Sequence, residues 1–114
     1  MGASVFKVNA QGAGPMNDSA PVPAGEAYRI MSVALVFATA PTTSENYTIT
    51  LDSRAGPTYD LLLYRVDPSG GALTDILWQP DEELFLEGGD AILCEFANTD
   101  RVGYTIQVTC KRVP

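Results

Sequence analysis

The side chains of this sequence that could do chemistry are few. Asp81, Glu82 and Glu83 set three carboxylates in a row after Pro80, and paired carboxylates are the raw material of general acid and base catalysis. Their position in a proline-marked turn makes a solvated acidic loop the better reading. The chain has no histidine, which removes Ser-His-Asp and Cys-His nucleophiles and a cupin-type metal site built on imidazoles. Two cysteines, Cys94 and Cys110, are too few for a disulfide framework and, without histidine, for a zinc site. They are expected as free buried thiols. Asp18, Asp100 and the acidic turn offer oxygen to calcium, but with no calcium-loop spacing. Gly88-Gly89-Asp90 has neither the helix nor the lysine of a phosphate loop. The expectation is a protein that is not an enzyme and needs no metal or cofactor.

Aromatic side chains give one further candidate. Trp78, Tyr59 and Tyr64 would form a platform for sugar rings if they met on one surface, as in carbohydrate-binding sandwiches. The competing reading packs Trp78 in the core or at an interface.

The 114 residues make one domain, 1–114, and 46% of them are hydrophobic, enough for a core at this size. A net charge of −7 repels a phosphate backbone, so no nucleic-acid partner is expected. No run of 18 apolar residues is present to span a membrane. The first residues show no secretion signal, and Phe6 stands where a myristoylation signal needs Ser or Thr. Synthesis in a cytoplasm is the expectation.

The elements that must position these groups read as strands. Residues 3–10 carry Val5, Phe6 and Val8. Residues 11–25, with Pro15, Pro21, Pro23 and three glycines, suit an extended arm or long loop and not a helix or central strand. Residues 26–40 are rich in β-branched and aromatic types and close at Pro41. Residues 46–53 and 104–111 alternate apolar and polar, the mark of half-exposed strands. Residues 59–66 and 73–79 add two more. Residues 84–87 and 91–98 read as a pair folded about Gly88 and Gly89, which can take positive φ. About eight strands separated by Gly, Pro, Asn and Asp turns define an all-β fold, an antiparallel β-sandwich with jelly-roll-like topology and an extended N-terminal arm.

An apolar excess stands out. Alternation fails at residues 30–38, 61–64 and 84–96, although an antiparallel sandwich wets one side of each sheet. If Leu84, Leu86, Ile92, Cys94 and Phe96 point inward, Phe85 and Leu93 are left outside. Either the arm folds over them or another subunit covers them. Pro15, Pro21, Pro23, Phe85 and Leu93 are therefore the candidate interface residues.

Several blocks together resemble a known group. They are Ala40-Pro41-Thr42-Thr43-Ser44-Glu45-Asn46-Tyr47-Thr48-Ile49-Thr50-Leu51-Asp52, Tyr59-Asp60 with Leu63, and Leu77-Trp78-Gln79-Pro80-Asp81. Leu84-Phe85-Leu86-Glu87-Gly88-Gly89-Asp90 and Asn98-Thr99-Asp100 with Tyr104 complete the set. This pattern resembles the small β-sandwich structural proteins of tailed bacteriophages and prophages, most of all the capsid decoration, or cement, proteins. The resemblance implies a virion protein that binds the outside of a phage head non-covalently and stabilises it. It also implies contact with the major capsid protein or another virion protein, and a homo-oligomer, dimer or trimer. The alternative is a tail or receptor-binding module that takes carbohydrate on Trp78, Tyr59 and Tyr64.

Overall fold

The computed structural model describes residues 5–113, with side chains from residue 9 onward. Residues 3 and 4 of the expected first strand lie outside the described residues. Nine strands form: β1 (Val5–Gly12), β2 (Met16–Pro21), β3 (Ala27–Phe37), β4 (Tyr47–Asp52), β5 (Leu61–Val66), β6 (Asp75–Trp78), β7 (Phe85–Glu87), β8 (Ala91–Phe96) and β9 (Tyr104–Arg112). Short 3₁₀ turns at Pro57–Tyr59 and Pro68–Gly71 are the only helical pieces among the described residues.

The pairing is that of one long hairpin rolled up. Its tip is the loop of residues 53–60, and outward from it β4 pairs β5, β3 pairs β6, β2 pairs β8 and β1 pairs β9, all antiparallel. Rolling adds β3 to β9 and β4 to β8. The products are sheet A, in the order β1-β9-β3-β6 with the short β7 also on β3, and sheet B, in the order β2-β8-β4-β5. That order is a jelly roll. The expected antiparallel sandwich is the fold.

The core fills the space between the sheets. From sheet A, Ile30, Val33, Leu35, Phe37, Ile106 and Val108 face Tyr47, Ile49, Ile92, Cys94 and Phe96 from sheet B. Phe37 and Phe96 meet across the gap with ring centroids 5.5 Å apart and planes tilted by 56°, an arrangement that adds about 0.5–1.5 kcal/mol to their area burial.

Two expectations need correction. The segment at 11–25 is not an arm: β1 runs to Gly12, and Met16–Pro21 is a strand on β8. Asn17, Asp18 and Ser19 are poor strand formers, but β2 is an edge strand, bonded on one side only. Pro21, which has no N–H to give, stands at its last residue. Residues 84–98 are not a hairpin either. β7 belongs to sheet A and β8 to sheet B, so the turn at Gly88 and Gly89 carries the chain from one layer to the other. Gly89 has φ +94, while Gly88 does not take a positive φ.

Candidate functional site

The outer face of sheet A is divided in two. On β9 the outward residues Thr105, Gln107, Thr109 and Lys111 are polar, and Asn9 and Gln11 continue this half on β1. On β3, β6 and β7 an apolar row runs among the polar outward residues Arg29, Ser32, Asp75 and Glu87. Phe85 lies beside Arg29, Met31 follows along β3, Leu77 lies beside Ala34, and Val36 ends the row. Their exposures are 53% for Phe85, 39% for Met31, 65% for Leu77 and 49% for Val36. Residues two apart on a strand share a face at about 6.5–7 Å, so the row forms a strip, interrupted by Arg29 and Ser32, on the order of a few hundred Å². Patches of that size on soluble monomers are often functional.

Met31 enters this strip through a β-bulge. The β3–β9 register passes from Ile30 opposite Cys110 to Ser32 opposite Thr109, skipping Met31. The bulge shifts the inward set from Tyr28 and Ile30 to Val33, Leu35 and Phe37, and Met31 is left outside. An open depression of about 300 Å³ lies here, lined by Arg29, Met31, Gln79, Pro80, Asp81 and Glu83 among others. A larger one, about 640 Å³, borders the Val36 end with Gln11, Gly12, Ala38, Gly103 and Thr105. The rim is acidic: Asp75 is opposite Val36, Glu87 follows Phe85, and Asp81, Glu82 and Glu83 are exposed. Arg29 donates to Glu83 at 2.6 Å.

The five interface candidates are not gathered on one face. Phe85 is in the strip, but Leu93 is half-buried on the outside of sheet B, beside Ser19 and Thr50. Pro15 is exposed in the β1–β2 turn, Pro21 at the end of β2 and Pro23 in the turn to β3. The former arm thus widens sheet B and does not cover Phe85. Met31, Val36 and Leu77 complete the strip and were not singled out as interface residues by sequence; the broken alternation at residues 30–38 was the one signal for Met31 and Val36, and Leu77 had none. The aromatic trio is also dispersed. Trp78 packs against the core from sheet A, Tyr64 from sheet B, and Tyr59 is 66% exposed on the loop at the hairpin tip.

One end of the sandwich, beyond the Val36 end of the strip, is tied loop to loop. Thr42 and Thr43 each donate a backbone N–H and a hydroxyl to the Asp100 carboxylate, at 2.6–3.1 Å. Thr99 does the same to Glu45, both bonds 2.8 Å. Asp67 accepts from Ser44 and from Ser69. Four donors hold the Asp100 carboxyl below the usual carboxylate range, the Thr43 hydroxyl foremost. The sign follows: a depressed native pKa stabilises the fold above the unfolded value near 4, and that stability is lost as pH falls through and below 4. In thermal melts from neutral pH downward, Asp100→Asn is therefore expected to melt below the wild type at neutral pH, with the gap closing in acid. A gap constant with pH would contradict this.

These carboxylates are saturated with donors, and among the described residues no group of three or more Cys, Asp or Glu side chains is placed to hold a metal. Cys94 and Cys110 are free, buried and in different sheets. Burial pushes the Cys94 thiol up to about 12 and the Cys110 thiol up to about 11, so neither is a nucleophile near neutral pH. The Tyr47 hydroxyl lies fully buried, and the Cys94 thiol beside it is a weak partner too poorly aligned to count as a hydrogen bond by geometry; burial, first of all, raises the tyrosine pKa. An unmet buried hydroxyl costs about 1–3 kcal/mol. Tyr47→Phe is therefore expected to leave stability unchanged or raise it by about 1 kcal/mol in denaturant titration; a clear loss would show that the hydroxyl has a partner after all.

No family model matches the sequence, and no curated protein matches it. Among solved structures, the chain is similar to one described as "The Structure of Tomato Aspermy Virus by X-Ray Crystallography". The match has 13% identity over 98% of this chain and 79% of that one, with a TM-score of 0.30. A likeness at that score carries no functional argument.

Proposed function

We propose that this protein is a virion structural component, a capsid decoration or cement protein that binds the outside of a phage head without covalent attachment and stabilises it. On this reading it is made in the host cytoplasm, works by binding alone, and touches the major capsid protein or another virion protein. The observation that carries it is the apolar strip of Phe85, Met31, Leu77 and Val36 on sheet A, which a free monomer leaves in water. A fully exposed Leu or Phe forgoes roughly 1.5–3 kcal/mol of burial, so covering the strip favours association. The resemblance of the turn and strand blocks to phage decoration proteins points the same way.

A mostly acidic rim, broken near Phe85 by Arg29 and Lys111, suits a partner whose apolar centre carries Lys or Arg at its margin. Each contact is modest, and the effect on a shell comes from many copies acting together. The test is cosedimentation with mature heads of the phage or prophage whose genome encodes the chain. Wild type is expected in the pellet, and Leu77→Lys is expected to remain in the supernatant while keeping its fold by circular dichroism. Absence from both heads and virions sinks the proposal.

A further inference from the structure

The apolar strip on sheet A has a shape as well as a polarity. Phe85, Met31, Leu77 and Val36 stand on β3 and on the two short strands beside it, and Ala34, half-buried opposite Leu77, joins them in the middle. Between residues 29 and 36 the strip is about 23 Å long at about 3.3 Å per residue, and it is only two strands, roughly 5 Å apart, in width. Its long sides differ. Along β9 run Thr105, Gln107 and Thr109, all uncharged, and Gln107 donates to Asn9 at 2.7 Å. Along the other side stand Asp75 on β6, Glu87 on β7 and, in the link between those strands, Asp81, Glu82 and Glu83, every one of them exposed.

Three kinds of element cover strand surfaces, and two of them do not suit this one. A strand added edge to edge needs open backbone, but β3 is paired on both sides, with β9 and with β6 and β7. A second sheet laid face to face is several strands wide and would bury the amides and hydroxyls of β9 and β1 along with the strip. An amphipathic helix fits, because its apolar stripe is narrow and straight and about 15 residues, or four turns, span the length. Its anchors at i, i+4, i+7 and i+11 then follow the apolar row. Among the described residues this chain forms no α-helix, so the helix comes from a different chain.

We propose that the strip is the docking site for an amphipathic α-helix of another protein, lying along β3 with Lys or Arg on the flank toward β6 and β7 and uncharged polar residues on the flank toward β9. The charge pattern sets those flanks. The carboxylates line one side only, and the one cation close to them, Arg29, is already bonded to Glu83 at 2.6 Å, so that side attracts a basic flank. Lys111, opposite Arg29 at the Phe85 end, disfavours a cation on the other flank. The inference rests on the virion reading for one point alone, that the helix belongs to the capsid protein or another virion protein.

The test uses the isotope-labelled full chain and a synthetic peptide of about 15 residues, locked helical by a lactam bridge on its outer face, with Leu along the stripe, Lys on one flank and Gln on the other. Amide shifts are expected at Met31, Ala34, Val36, Leu77 and Phe85, with a Kd of roughly 100 µM. The same peptide with Glu in place of Lys, or with a proline at its centre and no bridge, is expected to bind at least about tenfold more weakly. Leu77→Lys is expected to weaken the Lys peptide at least about tenfold, and Leu62→Lys, on sheet B, to leave it unchanged; circular dichroism checks that both variants are folded. No saturable binding up to about 1 mM, shifts centred away from the strip, or equal binding of the Glu or proline peptide overturns the proposal. Wild type that pellets with heads but ignores the Lys peptide overturns the helix and not the decoration reading. Wild type that binds the peptide as expected but is absent from heads and virions supports the helix site and sinks that reading.

Discussion

Asn98→Ala is expected to lower the unfolding free energy by about 3–4 kcal/mol, a large loss for a single polar side chain. Asn98 is 2% exposed and sits at φ +51 between β8 and β9. Its amide donates to the Gly14 carbonyl at 2.9 Å and to the Val102 carbonyl at 3.0 Å, and its oxygen accepts from the Val102 N–H at 3.0 Å. One side chain thus joins the β1–β2 turn to the β8–β9 loop and closes that loop on itself. Alanine would strand the Val102 N–H and carbonyl away from water and take the donor from the half-buried Gly14 carbonyl, and each unmet buried group costs about 1–3 kcal/mol. Alanine also tolerates the left-handed conformation less well than asparagine does. Asn98→Gly separates the two effects: it keeps the conformation, loses the bonds, and is expected to recover about 1 kcal/mol of the alanine loss. Urea titrations of the three proteins at neutral pH provide the check. An alanine loss below about 1 kcal/mol would mean that water replaces the bonds.

Gly88→Ala is expected to cost about 2–3 kcal/mol, for a reason unlike the usual one for glycine. The backbone of Gly88 does not need a positive φ. Its need is room: a Cβ there would stand 2.8 Å from the Gly25 nitrogen, 2.9 Å from the Pro23 oxygen and 3.0 Å from the Ala24 Cα. All three are main-chain atoms, so relief requires moving the turn at residues 22–26. That turn is held by the Val22 N–H to the Asp90 carbonyl at 2.8 Å and by the Gly89 N–H to the Val22 carbonyl at 3.1 Å. Gly89→Ala is the contrast. Its Cβ would meet the Arg54 Cβ and Cδ, each at 3.1 Å; the Cδ can swing away, the Cβ needs a shift of a few tenths of an ångström, and the rest of the cost comes from φ +94, about 1–2 kcal/mol. Thermal unfolding should rank Gly88→Ala below Gly89→Ala, and amide exchange should show residues 22–26 loosened in the first alone. The opposite ranking would show that the turn yields easily.

The sandwich was legible in the sequence because β4 and β9 alternate cleanly and turn residues recur between the apolar runs. The strand hidden among prolines was not, since Asn17-Asp18-Ser19 becomes a strand only through its pairing with β8, a tertiary effect that outweighs local preference. The excess of apolar residues was legible, but its three causes were not. At residues 30–38 and 61–64 the alternation breaks at bulges, Met31 in β3 and Leu63 in β5, and each shifts the inward set by one residue. At residues 84–96 it breaks because the chain changes sheets. A sequence shows period two or its failure; it does not show whether a failure marks a bulge, a corner or burial on both sides. Among the described residues the large exposed apolar side chains that remain are those of the sheet A strip, Leu61 and Leu62 on β5, and Tyr59 on the tip loop.

The position of β9 bears on how the molecule is made. The ninth strand to be synthesised lies between the first and the third, so half of the sandwich has no centre until residues 104–112 have left the ribosome. Until then β3 has ladder partners on one side only, in β6 and β7, and ladders joining distant segments close slowly. Yield in a producing cell would then be governed less by the finished protein's stability than by how long a chaperone shields β3 while it waits for its neighbour.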